Sequence, residues 1–275
     1  MSMGRRQLPM APGLILSLGG SVLFAGIMLA VRPETSGSIY LPRNNVVTGL
    51  DQEVNESLHK INEESPTGVS LFNDITDFGS SFWIKRIAAL MGLALVVISV
   101  CLVILRRKSI GLPLRCTMLV LAWMLVMMAG DTLNGGLKEY IKRARPPYHE
   151  AAHTSGYSFP SGHSMTAFVA YGMLAYILIQ LIPHRRSRQA AVGALGILVL
   201  LIGFSRMFLG AHWLSDVVGG FAAGACWLGL CITAIEIIPG MSRPAGGVAV
   251  AGEVANRVSE PAILSPQPVF PDKTL

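Results

Sequence analysis

"SFPSGHSMTAFVAYGMLAYILIQLIPHRRSR" (residues 158–188) decides how the chain is read. Its middle, residues 164–183, is an apolar run interrupted only by small or weakly polar residues. That is the length of a helix crossing a hydrocarbon core, which needs roughly 20 residues. Behind the run comes the basic segment HRRSR (184–188), and in front of it stand Pro160, Ser161, Gly162 and His163. Ser161 is well suited to cap the helix N-terminus, and Pro and Gly are ordinary residues at such a start. A helix start explains three of the four residues and leaves His163 as a bystander. A phosphate site built on the helix N-terminus would use all four.

Outward from this stretch, five further runs have spanning length: about 12–31, 84–105, 116–136, 190–209 and 215–238. The chain is 52% hydrophobic and only 14% charged, against about 25% charged residues in a soluble domain. Its mean hydropathy is +0.53. These features exclude an ordinary soluble domain and predict an all-α, polytopic membrane protein with six transmembrane helices. The first run follows Arg5 and Arg6, as a signal peptide would, but its apolar core exceeds the roughly 7–15 residues of a signal h-region. A retained span is expected. Residues 1–238 are read as one six-span domain. The Pro- and Gly-rich remainder, 239–275, is read as a disordered cytoplasmic tail. Cys101, Cys116, Cys226 and Cys231 fall inside predicted spans without metal-ligand spacing and are expected to be small buried hydrophobes.

The net charge of +6 is most informative by position, because Lys and Arg favour cytoplasmic loops. Arg5–Arg6, RRKSIGLPLR (106–115) and HRRSR (184–188) share one side if there are six spans. Both termini then face the cytoplasm, and the loops 32–83, 137–163 and 210–214 face outward. One outward loop breaks the rule: LKEYIKRARP (137–146) carries Lys138, Lys142, Arg143 and Arg145. Moving it inside would expel both other basic loops, so its charge calls for an anionic ligand. In the first outward loop, Leu50, Val54, Leu58 and Ile61 recur at helical spacing within 50–65. They predict an amphipathic helix lying along the membrane face. TDFGSS (76–81) reads as a turn into the second span.

Three clusters lie at the outward ends of the last four spans: Lys138 with Arg145-Pro146; Pro160-Ser161-Gly162-His163; and Ser205-Arg206 with His212 and Asp216. His212 and Asp216 are four apart, so on a helix they share one face. The carboxylate can then accept the imidazole Nδ1–H and leave the other nitrogen with a free lone pair. A neutral His presented in this way is a competent nucleophile toward phosphorus. The alternative is a structural pair in which each satisfies the other at a helix end. Arg206 at a span end reads either as a snorkelling side chain or, with Lys138 and Arg145, as part of a cage of cations for a phosphoryl group. Lys142 and Arg143 read as solvated or as facing lipid headgroups. Ser161 and Gly162 offer free N–H groups and close backbone approach to an anion, and His163 stands at the rim of that site, able to protonate a leaving oxygen.

The pattern Lys138-x6-Arg145-Pro146, Pro160-Ser161-Gly162-His163, Ser205-Arg206-x5-His212-x3-Asp216 resembles the three-part signature of the type 2 phosphatidic acid phosphatase superfamily. That family includes membrane lipid phosphatases, glucose-6-phosphatase and the soluble vanadium haloperoxidases. The resemblance covers about 84–238 and matches every signature position. It implies hydrolysis of phosphomonoesters or diphosphates through a phosphohistidine intermediate, with no cofactor and no metal. By motif position it implies that His212 is the nucleophile, Asp216 its orienting partner and His163 the general acid. Lys138, Arg145, Ser161, Gly162 and Arg206 would bind the phosphate. The partners implied are a lipid phosphate and the surrounding membrane lipids, not nucleic acid. The location implied is the inner membrane, with the site facing outward. Undecaprenyl diphosphate is ranked first as substrate, ahead of phosphatidylglycerophosphate and phosphatidate. A lipid phosphotransferase shares every motif. An anion transporter would more often show paired broken spans, and no such duplication is visible.

Overall fold

The computed structural model describes residues 11–36, 39–41, 44–104, 111–148, 156–182 and 184–237. The tail 239–275, Arg5–Arg6 and residues 106–110 of the basic segment lie outside these. Eight helices and one small hairpin follow in order: α1 (Ala11–Val31), β1 (Glu34–Ser36), β2 (Ile39–Leu41), α2 (Val46–Glu63), α3 (Pro66–Asp77), α4 (Ser81–Ile104), α5 (Gly111–Ile141), α6 (Gly162–Leu181), α7 (Arg185–Phe208) and α8 (Leu214–Ile237). The hairpin is antiparallel, with Thr35 opposite Tyr40, a small exception to an otherwise all-α architecture.

Each of the six predicted apolar runs coincides with a long helix. Among the described residues, four are long and apolar enough to cross a membrane, within α1, α6, α7 and α8. Their outer faces are greasy: Ile15, Val22 and Leu200, like Leu125 of α5, are each more than 60% exposed, an arrangement that water would penalise and hydrocarbon favours. Cys101 is likewise exposed, and Cys226 and Cys231 are only half-buried, which corrects the expectation of buried cysteines. Cys226 lies in the contact between α1 and α8, its Sγ 3.1 Å from Ser21 Oγ. The side chain of Cys116 lies outside the description.

The core runs along α6 and α8, around Met127, Met165, Met173, Ile202 and Leu228. Small residues on α8 set the helix spacing. A Cβ on Gly229 would lie 2.5 Å from Gly13 O and Ser17 N of α1, and one on Gly220 would lie 2.7 Å from Ser161 O. Lacking a strong hydrophobic drive in lipid, helices associate by such close backbone contact.

Between α1 and α4 the chain builds two helices outside the predicted spans. The N-cap of α2 is Asn45, whose side chain accepts from Val47 and Thr48 N–H, with Thr48 Oγ1 accepting in return from Asn45 N–H. This reciprocal box fixes the start of the helix. The helix is amphipathic as expected, and a strip of polar residues shares its protein-facing side with half-buried Val54 and Leu58. Asp51 and Asn55 are buried, whereas Leu50 and Ile61 are about half exposed. The reason is the supply of partners, because α2 lies across the ends of other helices where unpaired backbone groups collect. Asn45 Nδ2 donates to Ala30 O of α1 (2.7 Å), Asp51 Oδ1 accepts from Ser215 N–H of α8 (2.8 Å), and Asn62 Nδ2 donates to Phe208 O of α7 (2.7 Å). The stretch read as a plain turn, 76–81, holds the end of α3, a short turn and the start of α4.

Candidate active site

The three sequence clusters meet at one end of the bundle. Lys138 occupies the last turn of α5, which continues past the predicted boundary at 136 to Ile141 because nothing after Gly136 breaks a helix. The stop comes at Lys142, a non-glycine residue in the left-handed region (φ 55°), a conformation that costs about 1–3 kcal/mol for such residues and persists only where surrounding contacts hold it. Arg145 follows in the loop. Ser161 caps α6, Gly162 and His163 open it, Arg206 lies in the last turn of α7, and Asp216 lies in the first turn of α8. His163 lies within electrostatic range of Arg206, His212, Lys138 and Arg145.

His212 belongs to the link between α7 and α8, so the four-residue spacing works across a helix start rather than along a helix face. Gly210 makes the link possible. Its φ is +68°, and a Cβ there would lie 2.6 Å from Tyr148 O. The Nδ1 of His212 lies 3.4 Å from Asp216 Oδ2, and its Nε2 lies 3.4 Å from Arg145 Nη1. These neighbours define the tautomer. A carboxylate opposite Nδ1 calls for a proton there, and an obligate donor opposite Nε2 calls for a lone pair. The Nδ1 contact is long for a hydrogen bond and Nδ1 makes no other; such bonds tighten when a ligand completes a site. Burial pushes the His212 imidazole down to about 4; Asp216 pulls the other way, and Arg206 and Lys138 add to the lowering. At neutral pH the ring is an uncharged base with its lone pair toward Arg145.

The cations are held by backbone carbonyls and one hydroxyl. Arg145 donates from Nε to Gly156 O (2.9 Å) and from Nη1 to Ala211 O (2.8 Å). Arg206 is 2% exposed; its Nη1 donates to Thr76 Oγ1 (3.0 Å), while Nε and Nη2 have no partner in the protein. Leaving charged donors buried and unpaired is expensive, and an anion is the chemistry that would satisfy both. Ser161 Oγ accepts from Ser164 N–H (3.4 Å) and from Ser164 O–H (3.0 Å), and Ser161 N–H donates to Asp216 O (3.0 Å). Its own hydroxyl proton is left to give. The N-cap expectation therefore holds, with an added link from α6 to α8.

Three residues that matter here were not singled out in the sequence. Arg143, expected to be solvated or to meet lipid headgroups, is buried. It donates from Nη1 to Asp216 Oδ1 (2.6 Å) and Ser215 Oγ (2.7 Å), and from Nη2 to Asp51 Oδ2 (2.6 Å). The αL turn at Lys142 reverses the chain and carries Arg143 into the protein. Asp51 comes from α2 and Thr76 from the end of α3. The available signal was a polar repeat on α2, Asp51, Asn55 and Asn62, as regular as the apolar one. One turn into α6, Thr166 Oγ1 (3.2 Å) and Ser81 Oγ (2.8 Å) donate to Asp131 Oδ1, and Lys85 pairs with the same carboxylate. This cluster ties α4, α5 and α6 together beneath the site.

Residues 117–237 match the PAP2 superfamily. The chain is 41% identical over 105 residues to phosphatidylglycerophosphatase B of Bacillus subtilis, covering 38% of this chain and 52% of that protein. It is 35% identical over 109 residues to lipid A 1-phosphatase of Rhizobium johnstonii (36% and 40% covered). It is 25% identical over 138 residues to undecaprenyl-diphosphatase of Sulfolobus acidocaldarius (49% and 59% covered). The matches thus span about half the length of these curated relatives. In backbone the chain is similar to the crystal structure of a transmembrane PAP2 type phosphatidylglycerolphosphate phosphatase from Bacillus subtilis, with a TM-score of 0.62 and 27% identity over 82% of this chain and 96% of that one. The segment matched by the PAP2 superfamily, 117–237, carries every signature residue and lies within a helical membrane protein.

Proposed function

We propose that the protein is a lipid phosphate phosphatase of the inner membrane, with six spans, both termini cytoplasmic and the site opening at the outer face. The observation that carries this reading is the pairing of an uncharged His212, its Nε2 toward Arg145, with a buried Arg206 whose Nε and Nη2 lack partners. An anion bound beside Arg206 satisfies its two free donors and brings an electrophilic centre to the lone pair. The basic residues Arg185–Arg188 lie at the opposite end of α7 from Arg206, about 30 Å away at 1.5 Å per residue, which supports a cytoplasmic side opposite the site. That α4 and α5 also cross the membrane is part of this proposal.

His212 Nε2 attacks phosphorus as the bond to the leaving oxygen breaks, and His163 gives that oxygen its proton. Asp216 holds the Nδ1 proton and offsets the charge that develops on the ring. Lys138, Arg145, Arg206, the Ser161 hydroxyl and the first-turn N–H groups of α6 take the phosphoryl oxygens. Water then cleaves the N–P bond, with His163 accepting a proton from it. A lipid substrate, phosphomonoester or diphosphate, suits a site at the ends of apolar helices, because its tail stays in hydrocarbon while its phosphate reaches the cations. The names of the relatives support this class.

Purified protein given phosphatidylglycerophosphate, phosphatidate and undecaprenyl diphosphate in detergent with EDTA present is expected to release phosphate from at least one. The His212→Ala variant is expected to fold and not turn over. Full activity in that variant overturns the reading. Phosphate appearing on an added alcohol rather than in water moves it to a phosphotransferase.

A further inference from the structure

Arg143 holds two carboxylates at once, at 2.6 Å each: Asp216 through Nη1 and Asp51 through Nη2. Ser215 closes the unit. Its Oγ accepts from Arg143 Nη1 and donates to Asp51 Oδ2 (2.6 Å), and its N–H donates to Asp51 Oδ1 (2.8 Å). Arg143, Asp51, Ser215 and Asp216 are all buried. With two negative charges against one positive, the unit retains one negative charge. Because Arg143 takes Oδ1 of Asp216, the oxygen left to face Trp213 N–H (3.0 Å) and His212 Nδ1 (3.4 Å) is Oδ2.

We propose that Arg143 and Asp51 are positioning residues for the His212–Asp216 pair: Arg143 fixes which carboxylate oxygen meets His212 and neutralises part of its charge, and Asp51, from a helix outside the matched domain, fixes Arg143. This rests on the reading of His212 as the nucleophile. Without Arg143, Asp216 is free to rotate and turns its whole charge on the imidazole, which then holds a proton more tightly and attacks from a less defined orientation. The groups around Asp216 are Arg143 from the loop after α5, His212 and Trp213 from the α7–α8 link, Ser161 N–H on its backbone oxygen, and Asp51 of α2 acting through Arg143. Around His212 stand Arg145, Arg206, Lys138 and, across the site, His163. A brace that merely held the loop would change stability and leave the pH profile of turnover where it was.

The test uses full-length protein with phosphatidate in detergent micelles, with thermal melting recorded for each variant. Arg143→Met combined with Asp51→Asn removes the cation and one carboxylate together, so no lone buried charge is created on α2. The asparagine amide still offers an oxygen to Ser215 N–H. This double variant is expected to lose about 10–100-fold in kcat, the range for partners that orient a reacting group. KM is expected to stay within a few-fold. Its acid limb in kcat/KM should move up, because the cation removed touches Asp216 directly while the carboxylate removed with it lies one contact further away. If the double variant does not fold, Arg143→Lys serves instead. An ammonium cannot span both carboxylates as the planar fork does, so its kcat is expected to fall about tenfold. A folded double variant with kcat near wild type and an unmoved acid limb overturns the proposal, as does a fully active Arg143→Lys. If His212→Ala is inactive while these variants behave as wild type, only the positioning role falls. If His212→Ala is itself active, the reading of the site falls first.

Discussion

His212 Nε2 stands 3.4 Å from Arg145 Nη1, so the lone pair assigned to attack already faces a cation assigned to hold the phosphate. The proposed nucleophile and the proposed phosphate holder thus share one contact between two loops. Arg145 is itself fixed by two carbonyls, Gly156 O and Ala211 O, and the second belongs to the residue before His212. Truncating Arg145 to Ala is expected to lower kcat/KM by about 10²–10³, the scale for losing one preorganised donor to transition-state charge. Arg145→Lys is expected to recover only part of it, since a point charge cannot hold both carbonyls and a phosphoryl oxygen. Steady-state kinetics on the two variants check this.

His212 sits down at about 4 in the free protein. The imidazole proposed as the nucleophile is therefore uncharged above that pH, and its lone pair is lost as pH falls through it. The acid limb of kcat/KM should lie near 4, because this quantity reports ionisations of the free enzyme. The substrate's own second phosphate ionisation, near about 6, is measured separately and divided out. An acid limb near the ordinary histidine value after that correction would contradict the burial of His212.

Arg206 offers two buried donors with no protein partner, so an anion is expected to stabilise the folded protein. Inorganic phosphate well above its Kd should raise Tm, about 2.7 kcal/mol of stabilisation being expected at roughly 100 times Kd. Arg206→Ala should abolish the rise. Thr76→Val strips the one hydrogen bond that orients the guanidinium, at about 1–3 kcal/mol for the newly unpaired buried donor, and should weaken the phosphate-dependent shift without removing it. Melting curves across a phosphate titration separate the three proteins.

Two glycines of α8 should behave differently. A methyl on Gly220 points at Ser161 O (2.7 Å) and Ser164 Cβ (2.9 Å), and one on Gly229 points at the backbone of α1. Each substitution to Ala is expected to cost about 1–3 kcal/mol of stability by overpacking. Gly220→Ala should also lower kcat, because it displaces the capped start of α6 that carries His163. Gly229→Ala should lower Tm and leave kcat near wild type. Equal kcat values in the two variants would mean that the α6–α8 contact does not set the site.

Much of this was legible from residue order. Apolar runs are a one-dimensional signal, and all six coincide with helices. The signature residues were legible because they cluster at run ends, where lipid cannot satisfy charge. What was missed depends on partners distant in sequence. Arg143 looked like one more solvated cation in a basic loop, since its partner Asp51 is 92 positions away. Thr76, in a stretch read as a turn, meets Arg206 across 130 positions. The buried polar residues of α2 depend on distant partners in the same way. Periodicity reveals that a helix has two faces, but which one the protein takes depends on the unpaired backbone groups that other helices present to it.

The three helix ends held by α2 carry a consequence for the order of events during synthesis. Ala30 O is available as soon as α1 is made, whereas Phe208 O and Ser215 N–H emerge near the end of the chain. Until α7 and α8 are in place, Asn62 lacks Phe208 O, and Asp51 has Arg143 but not Ser215. The helix that leaves the ribosome second among the long ones therefore docks among the last, and it does so on the segment bearing His212 and Asp216. A chain that stalls before α8 holds Asp51 through Arg143 alone, so the full Asp51–Arg143–Ser215–Asp216 unit forms only once α8 is in place.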